Sequence, residues 1–512
     1  MGVVAMLSKV SCQKDYRRAQ RRVARDFSAS DWDRLNKDPQ LSSARDKFAF
    51  LRVDRAEEAL LPPCSPDRGR PAWDPAVLIR SFLLMLHLGH TSVQRWHDAL
   101  AADALLRWLV GSEGVPSVGA HYDLVNRVTG DDPHRDACYP KGLFTEELKE
   151  MRKKYQLKRG EKLVNFDDGD TAELTRKYWD DASADRGRWS LPLELLFFHV
   201  AVSVSMETYP IAGGTASGDG TCLHIHASKS GHRARDDAEA EKDADGRPLT
   251  HRYSAPDANV GWDSDVGDYF YGFAMYNVSW HSREHGIDLP LFVALRSASQ
   301  HDSLTCVSAV AHMLDVAPGL RPAFFCHDSA ADAARIFEWL RHRGVVPIID
   351  WNPRQSSKDP DERRPVERGI KGEDGRPLEH VNDRGVPVCA CGHEMARDGY
   401  DRSKQATKYR CPFAVGRIKE CEWWGKCTKS KYGRVKKVYD KTNYKIFGPV
   451  VYRSDQWKDI YKDRTCTERV NNRILNDYGL HALTCRNGYR HFFFAIMAAI
   501  NIHMDAWVKT SA

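Results

Sequence analysis

The stretch AFFCHDSAADAARIFEWLRHRGVVPIID, residues 323–350, decides the fold class. Ala323–Cys326 is a short apolar strand. Ala331–Arg343 has helical spacing, with Ile336, Trp339 and Leu340 on one side and Gly344 as its stop. Val345–Asp350 is a second apolar strand. A strand–helix–strand unit implies parallel pairing through a right-handed crossover, hence an α/β chain. Asp328 stands where the first strand gives way to the helix. Sheets of this kind place ligand sites at the carboxyl ends of their strands.

Upstream, Thr221–Ser228 alternates Leu223, Ile225 and Ala227 with His224, His226 and Ser228, the pattern of a half-buried strand. Tyr269–Trp280 and Leu289–Ser299 read as two more strands. Residues 233–268 hold ten acidic and five basic residues and read as an exposed excursion. Residues 1–150 read as all-helical. Asp74 and Pro75 open a helix through Leu88, a second runs from Ser92 through Leu109, and a third runs from Ser117 to about Arg127. Arg18, Arg21, Arg22 and Arg25 would share one face of an earlier helix, either solvated or against DNA phosphates. Downstream, 352–388 is rich in Pro, Gly, Asp and Arg and reads as a linker. Helices return from Ser454. The expected division is a helical domain over 1–150, a core over 151–354, an insertion over 355–453 and terminal helices over 454–512.

The chain has 512 residues and a formal net charge of +6, from 76 Lys+Arg against 70 Asp+Glu. That balance excludes a uniformly basic nucleic-acid coat, and 42% hydrophobic residues exclude global disorder. The longest apolar run, near Phe492–Ile500, is shorter than the ~20 residues of a membrane span, so a soluble protein without a signal peptide is expected. No glycine motif for ATP or a dinucleotide is present.

Three acids stand out. Asp219 lies in Gly218-Asp219-Gly220-Thr221 at the entrance of the first strand, Asp328 ends its strand, and Glu468 sits on a helix begun near Trp457. Carboxylates are the hard oxygen ligands that Mg²⁺ prefers. Tyr461, Arg464 and Glu468 are spaced i, i+3, i+7, so one helix face would carry a phosphate-binding pair beside a metal ligand. These blocks resemble the bacterial insertion-sequence transposases of the DDE class that carry a Tyr-x-x-Arg-x-x-x-Glu-x6-Lys signature. The Lys position is Leu475 here, with Arg473 two residues earlier. The resemblance spans about residues 70–507 and includes the Pro116-Ser117 region. It implies an RNase H-like mixed sheet, an N-terminal helical domain that binds DNA or dimerises, and catalysis by Asp219, Asp328 and Glu468 with Mg²⁺ or Mn²⁺. Two-metal phosphoryl transfer would cleave transposon ends and join them to target DNA. Arg464 and Tyr461 would position the end phosphate. Double-stranded DNA, a homodimer on DNA and a bacterial cytoplasmic, nucleoid-associated location are further implications. A catalytically decayed DNA-binding relative, or a nuclease of the same fold, are the alternatives.

Five of 13 cysteines, Cys389, Cys391, Cys411, Cys421 and Cys427, cluster in 39 residues. They are candidate structural zinc ligands in a β-rich insertion before Glu468; the other reading is reduced buried thiols. The remaining cysteines are scattered, which suits a reducing compartment. Residues 401–464 hold 18 basic and 7 acidic residues, an excess of +11. Arg434, Lys436 and Lys437, interleaved with tyrosines, are the candidate DNA contacts there.

Overall fold

The computed structural model describes residues 9–64, 73–129, 191–227, 232–233, 251–252, 255, 258–299, 302–351, 380–382, 384–389, 391–442 and 444–511. Much of the acidic stretch 233–268 and most of the expected linker 352–388 lie outside them. The chain forms two compact units. The first comprises residues 1–212, 218–321 and 466–512, and the second 213–217 and 322–465.

The first unit opens with helices. Asp74 caps Pro75–His87 by accepting from the Ala76 N–H at 2.9 Å, as its sequence position predicts. Leu78, Ile79, Phe82, Leu83 and Leu86 are all buried, so this helix is core on every side. The single helix expected over 92–109 is two, Val93–Ala102 and Ala104–Val110. Asp103 breaks it, because its backbone is extended and its carboxylate caps the second helix at Leu105 N–H. Another helix spans Val118–Thr129.

The strand β1, Thr215–His224, begins six residues before the alternating pattern and ends within it. Asp219 therefore lies inside the strand and not at its entrance. Two short strands, β2 (His232–Arg233) and β3 (His251–Arg252), pair antiparallel. Within the acidic stretch, Asn259–Asp263 is a strand (β4), antiparallel to β5 (Asp268–Ser282), so that part is ordered sheet and not excursion. β5 also pairs antiparallel with β6 (Ile287–Ser297) and lies beside β1.

Helix Gly488–Ser511 completes this unit's core. Its Phe493 ring meets Phe82 at 4.8 Å, and the Asn501 side chain donates to the Leu83 carbonyl at 3.1 Å. By length and composition alone Leu191–Thr208 and Gly488–Ser511 could cross a membrane, but 89% of the second is buried inside the protein.

In the second unit the first residues of β1 pair in parallel with β7 (Phe324–His327), Ser217 opposite Cys326. β7 pairs in parallel with β8 (Val346–Ile349), and helix Ala334–His342 connects them. The strand–helix–strand unit is thus present where its sequence places it. Two-residue strands β9 (His380–Val381) and β10 (Pro387–Val388) pair antiparallel. An antiparallel sheet follows, of β11 (Ala396–Asp401), β12 (Ala406–Arg410) and β13 (Val435–Tyr439).

Candidate active site

Two adjacent parallel strands of the second unit each run out into an aspartate. Asp328 follows β7. Its Oδ1 accepts from the Ala330 N–H at 2.9 Å and pairs with His327 Nδ1 at 2.7 Å. Burial pushes the Asp328 carboxyl up; the His327 contact, the Ala330 N–H and the Arg464 charge outweigh it and hold the group below its ordinary range. It is a standing anion that remains 41% exposed.

Asp350 follows β8. Its N–H reaches the His327 carbonyl at 3.3 Å, and its Oδ1 accepts from the Tyr452 hydroxyl at 2.5 Å. The sequence reading does not single out Asp350 as a site residue. The available signal is the one used for Asp328: a carboxylate directly after an apolar parallel strand.

Tyr461 and Arg464 lie beside these strand ends. Trp351 stacks on Tyr452 at 3.9 Å, Tyr452 meets Trp457 edge-on at 5.1 Å, and Trp457 stacks on Tyr461 at 4.4 Å. This aromatic series fixes Tyr461, whose phenol burial pushes up to about 12, with Asp350 and Asp328 adding to the rise. The hydroxyl stays neutral at physiological pH and can donate. The Arg464 guanidinium lies 5.8 Å from the Tyr461 ring centre. The backbone there is pinned twice: Ser217 Oγ donates to the Arg464 carbonyl at 3.0 Å, and Cys326 Sγ to the Ile460 carbonyl at 3.5 Å.

The expected single helix through Glu468 is three segments. Asp455–Tyr461 is α-helical, Lys462–Arg464 is a tighter 3₁₀ turn, and Thr465–Asn472 is α-helical again. The i, i+3, i+7 spacing therefore does not describe one face of one α-helix. Tyr461 and Arg464 belong to the second unit with Asp328, whereas Asp219 and Glu468 belong to the first.

In the first unit Asp219 is half-buried and Glu468 exposed. The Asp302 carboxylate packs against Gly220, next in sequence to Asp219. A Cβ at Gly220 would sit 2.8 Å from the carboxylate carbon, so this close approach requires glycine. Burial raises the Tyr276 hydroxyl strongly, with Cys306, Asp302 and Asp219 adding to it. The helix bearing Glu468 is fastened by its neighbours: Arg469 forks onto Asp288 at 2.6 and 2.8 Å, and Asn277 donates to Asn471 at 2.6 Å. Leu475, at the signature's Lys position, is buried. Arg473 is held by Asp505 at 2.5 Å, which places it in an ion cluster with the buried Lys47.

The basic stripe is a strand with two faces. Lys437 is exposed and opposite Lys408, whereas Lys436 points the other way, half-buried opposite Tyr409. On the exposed face Arg410 stacks on Tyr432 at 3.3 Å. Arg434 donates to the Cys427 carbonyl at 3.3 Å and so helps to hold the cysteine loop.

Cys389 and Cys411 are buried; Cys391, Cys421 and Cys427 are half-buried. Burial pushes the Cys391 thiol up to about 12, and Cys389 and Cys421 add to it; Cys427 is raised by burial and then by Cys389, Cys411 and Cys421. Cys391 thus lies within electrostatic reach of Cys389 and Cys421, and Cys427 within reach of Cys389, Cys411 and Cys421. Among the described residues no three His, Cys, Asp or Glu side chains are grouped so as to hold a metal ion.

Residues 35–121 match the family model of a transposase domain (DUF772). They cover helices of the first unit and none of the three acids. The match supports a transposase, a DNA-processing enzyme with a transposition-related function. No curated protein matches the chain.

Proposed function

We propose that the protein is a DDE transposase with an RNase H-like catalytic core, cutting DNA at transposon ends and joining those ends to target DNA. The observation that carries the reading is Asp328: a carboxylate kept ionised at the end of a parallel strand, beside Arg464 and Tyr461. The transposase-domain match over residues 35–121 supports DNA as the class of substrate. Asp219 and Glu468 are the other two carboxylates assigned to the reaction.

The donor chemistry suits Mg²⁺ or Mn²⁺, since both ions favour carboxylate oxygens and Asp328 is already ionised. Bound divalent metal would supply Lewis-acid stabilisation of charge on the phosphodiester oxygens. Arg464 binds the end phosphate through its guanidinium, and the Tyr461 hydroxyl donates to it. His327 fixes the orientation of Asp328. In cleavage a water oxygen bonds to phosphorus, the 3′ oxygen leaves and takes up a proton, and a 3′ hydroxyl results. In joining, that hydroxyl oxygen bonds to a target phosphorus and loses its proton, while the target strand's own 3′ oxygen leaves. The same residues serve both steps, with two copies of the chain holding two ends. The five cysteines carry no zinc assignment here, since no three of them are grouped to hold an ion among the described residues.

One observation favours a second reading, a decayed DNA-binding protein: Leu475 replaces the signature Lys, and Arg473 is engaged by Asp505. Assays of cleavage and joining on end-bearing DNA with Mg²⁺ or Mn²⁺ decide between them. Wild type should give both products, and Asp328→Asn should give neither while still binding the DNA. Cleavage by Asp328→Asn would overturn the role of Asp328. Cleaved but never joined DNA would indicate a nuclease, and binding without cleavage by wild type would indicate the decayed protein.

A further inference from the structure

At the opposite end of β7 and β8 from Asp328 and Asp350, the second unit holds an open cleft of about 580 Å³. Small-molecule sites typically occupy ~300–1,000 Å³, so the cleft is of ligand size. Phe324 and Val450 supply apolar surface, and Tyr400 stands beside them. Arg397, from β11, and Arg402, from the turn after it, are exposed, and among the described residues no Asp or Glu lines the space.

One carboxylate bonded to two lining residues is already paired. Asp440 is fully buried, bonded to Arg341 and to the Tyr400 hydroxyl, so its charge is committed inside the wall. That pair also fixes the Tyr400 ring. Arg397 gives one N–H to the Pro449 carbonyl at 2.6 Å, which orients a guanidinium that has five donors in all. The turn bearing Arg402 is set by Asp401, which accepts from the Ser403 and Lys404 N–H groups at 3.1 and 3.2 Å. It closes on Gln405 in the left-handed region, φ 44°.

Two guanidiniums lining one cleft with apolar and aromatic surface match one chemistry: a phosphate joined to a flat ring. A duplex, whose bases face inward, could offer this recess only its backbone. We propose that the cleft binds a nucleotide unit of single-stranded DNA, its phosphate on Arg397 and Arg402 and its base against Phe324, Val450 and Tyr400. The proposal rests on the DNA-processing reading and adds to it a single-strand site separate from the Asp328 end of the strands.

The test uses the full chain and a labelled oligothymidylate, with anisotropy read across a salt series. Arg397→Gln/Arg402→Gln should weaken single-strand binding about tenfold or more. It should also lower the slope of log affinity against log salt by about 0.7, as expected for one lost single-strand phosphate contact. Gln456→Trp, at an exposed lining position, should weaken binding by filling the cleft while leaving both arginines in place. Unchanged affinity and slope in the double variant would overturn the proposal. So would an equal loss for blunt duplex, or displacement of the oligonucleotide by inorganic phosphate as effectively as by a dinucleotide. Asp328→Asn should leave this binding intact, so that failure of the cleavage mechanism and failure of the cleft give different results.

Discussion

Asp328 and Asp505 each have an arginine and a tyrosine for company, and they use them differently. Asp505, in the first unit, receives Lys47 at 2.5 Å, Arg473 at 2.5 Å and the Tyr478 hydroxyl directly. Burial pushes its carboxyl up, and Lys47, Tyr478 and Arg473 more than offset that. Asp328 is bonded to its sequence neighbours His327 and Ala330, and Arg464 acts on it through charge. The same three chemical groups make a closed structural cluster in one place and an accessible anion in the other. Composition of a cluster does not identify a site; uncommitted capacity facing solvent does.

The largest expected contrast is in stability. Asp505→Ala strands the buried Lys47 ammonium and should cost about 3–5 kcal/mol in urea unfolding, whereas Asp328→Ala should stay within about 1 kcal/mol. Equal losses would erase the distinction. The arginines should separate next. Arg473→Met should cost about 1.5–3 kcal/mol of stability, the range for hydrogen bonds to charged groups. Arg464→Met should mainly weaken binding of end-bearing DNA.

Acid should act through Asp505 in a defined direction. Its folded carboxyl is depressed, so its contribution is complete above the unfolded carboxylate range and is lost as pH falls through the folded value. Wild type should therefore lose more stability on acidification than Asp505→Asn, and parallel unfolding curves against pH would contradict this. The smallest effect is on the phenols. Tyr478→Phe should cost roughly 1.5 kcal/mol and Tyr461→Phe close to nothing in the same unfolding assay.

The sequence carries much of this fold where apolar runs are long and their limits chemically marked. Residues 323–350 show the parallel unit, and Asp74-Pro75 marks a helix start. It carries less where a few residues arbitrate. Asp103 sits in an alanine-rich helical run, yet it caps a new helix there and does not continue the old one. The start of β1 is Thr215-Ala216-Ser217, small residues paired with neighbours 109 positions away, with no alternation to read. Asp328 is legible because it punctuates a strand; Asp350 does the same, and the sequence reading takes it only as the end of its strand. The ion cluster joins positions 47 and 505, which local periodicity cannot connect. The break at 462–464 is likewise invisible to spacing, since 3₁₀ and α turns share i, i+3 neighbours.

That cluster also has a consequence for how the chain is made. Lys47 meets Asp505, and Leu83 meets Asn501, 418 residues further along. Buried surfaces of helices Pro39–Phe50 and Pro75–His87 are therefore completed by a segment that leaves the ribosome hundreds of residues later. During synthesis those early helices wait with Phe82 and its neighbours uncovered, an interval in which chaperone binding would compete with aggregation. The second unit, apart from residues 213–217, is emitted in one continuous run and can pack while the first is still open.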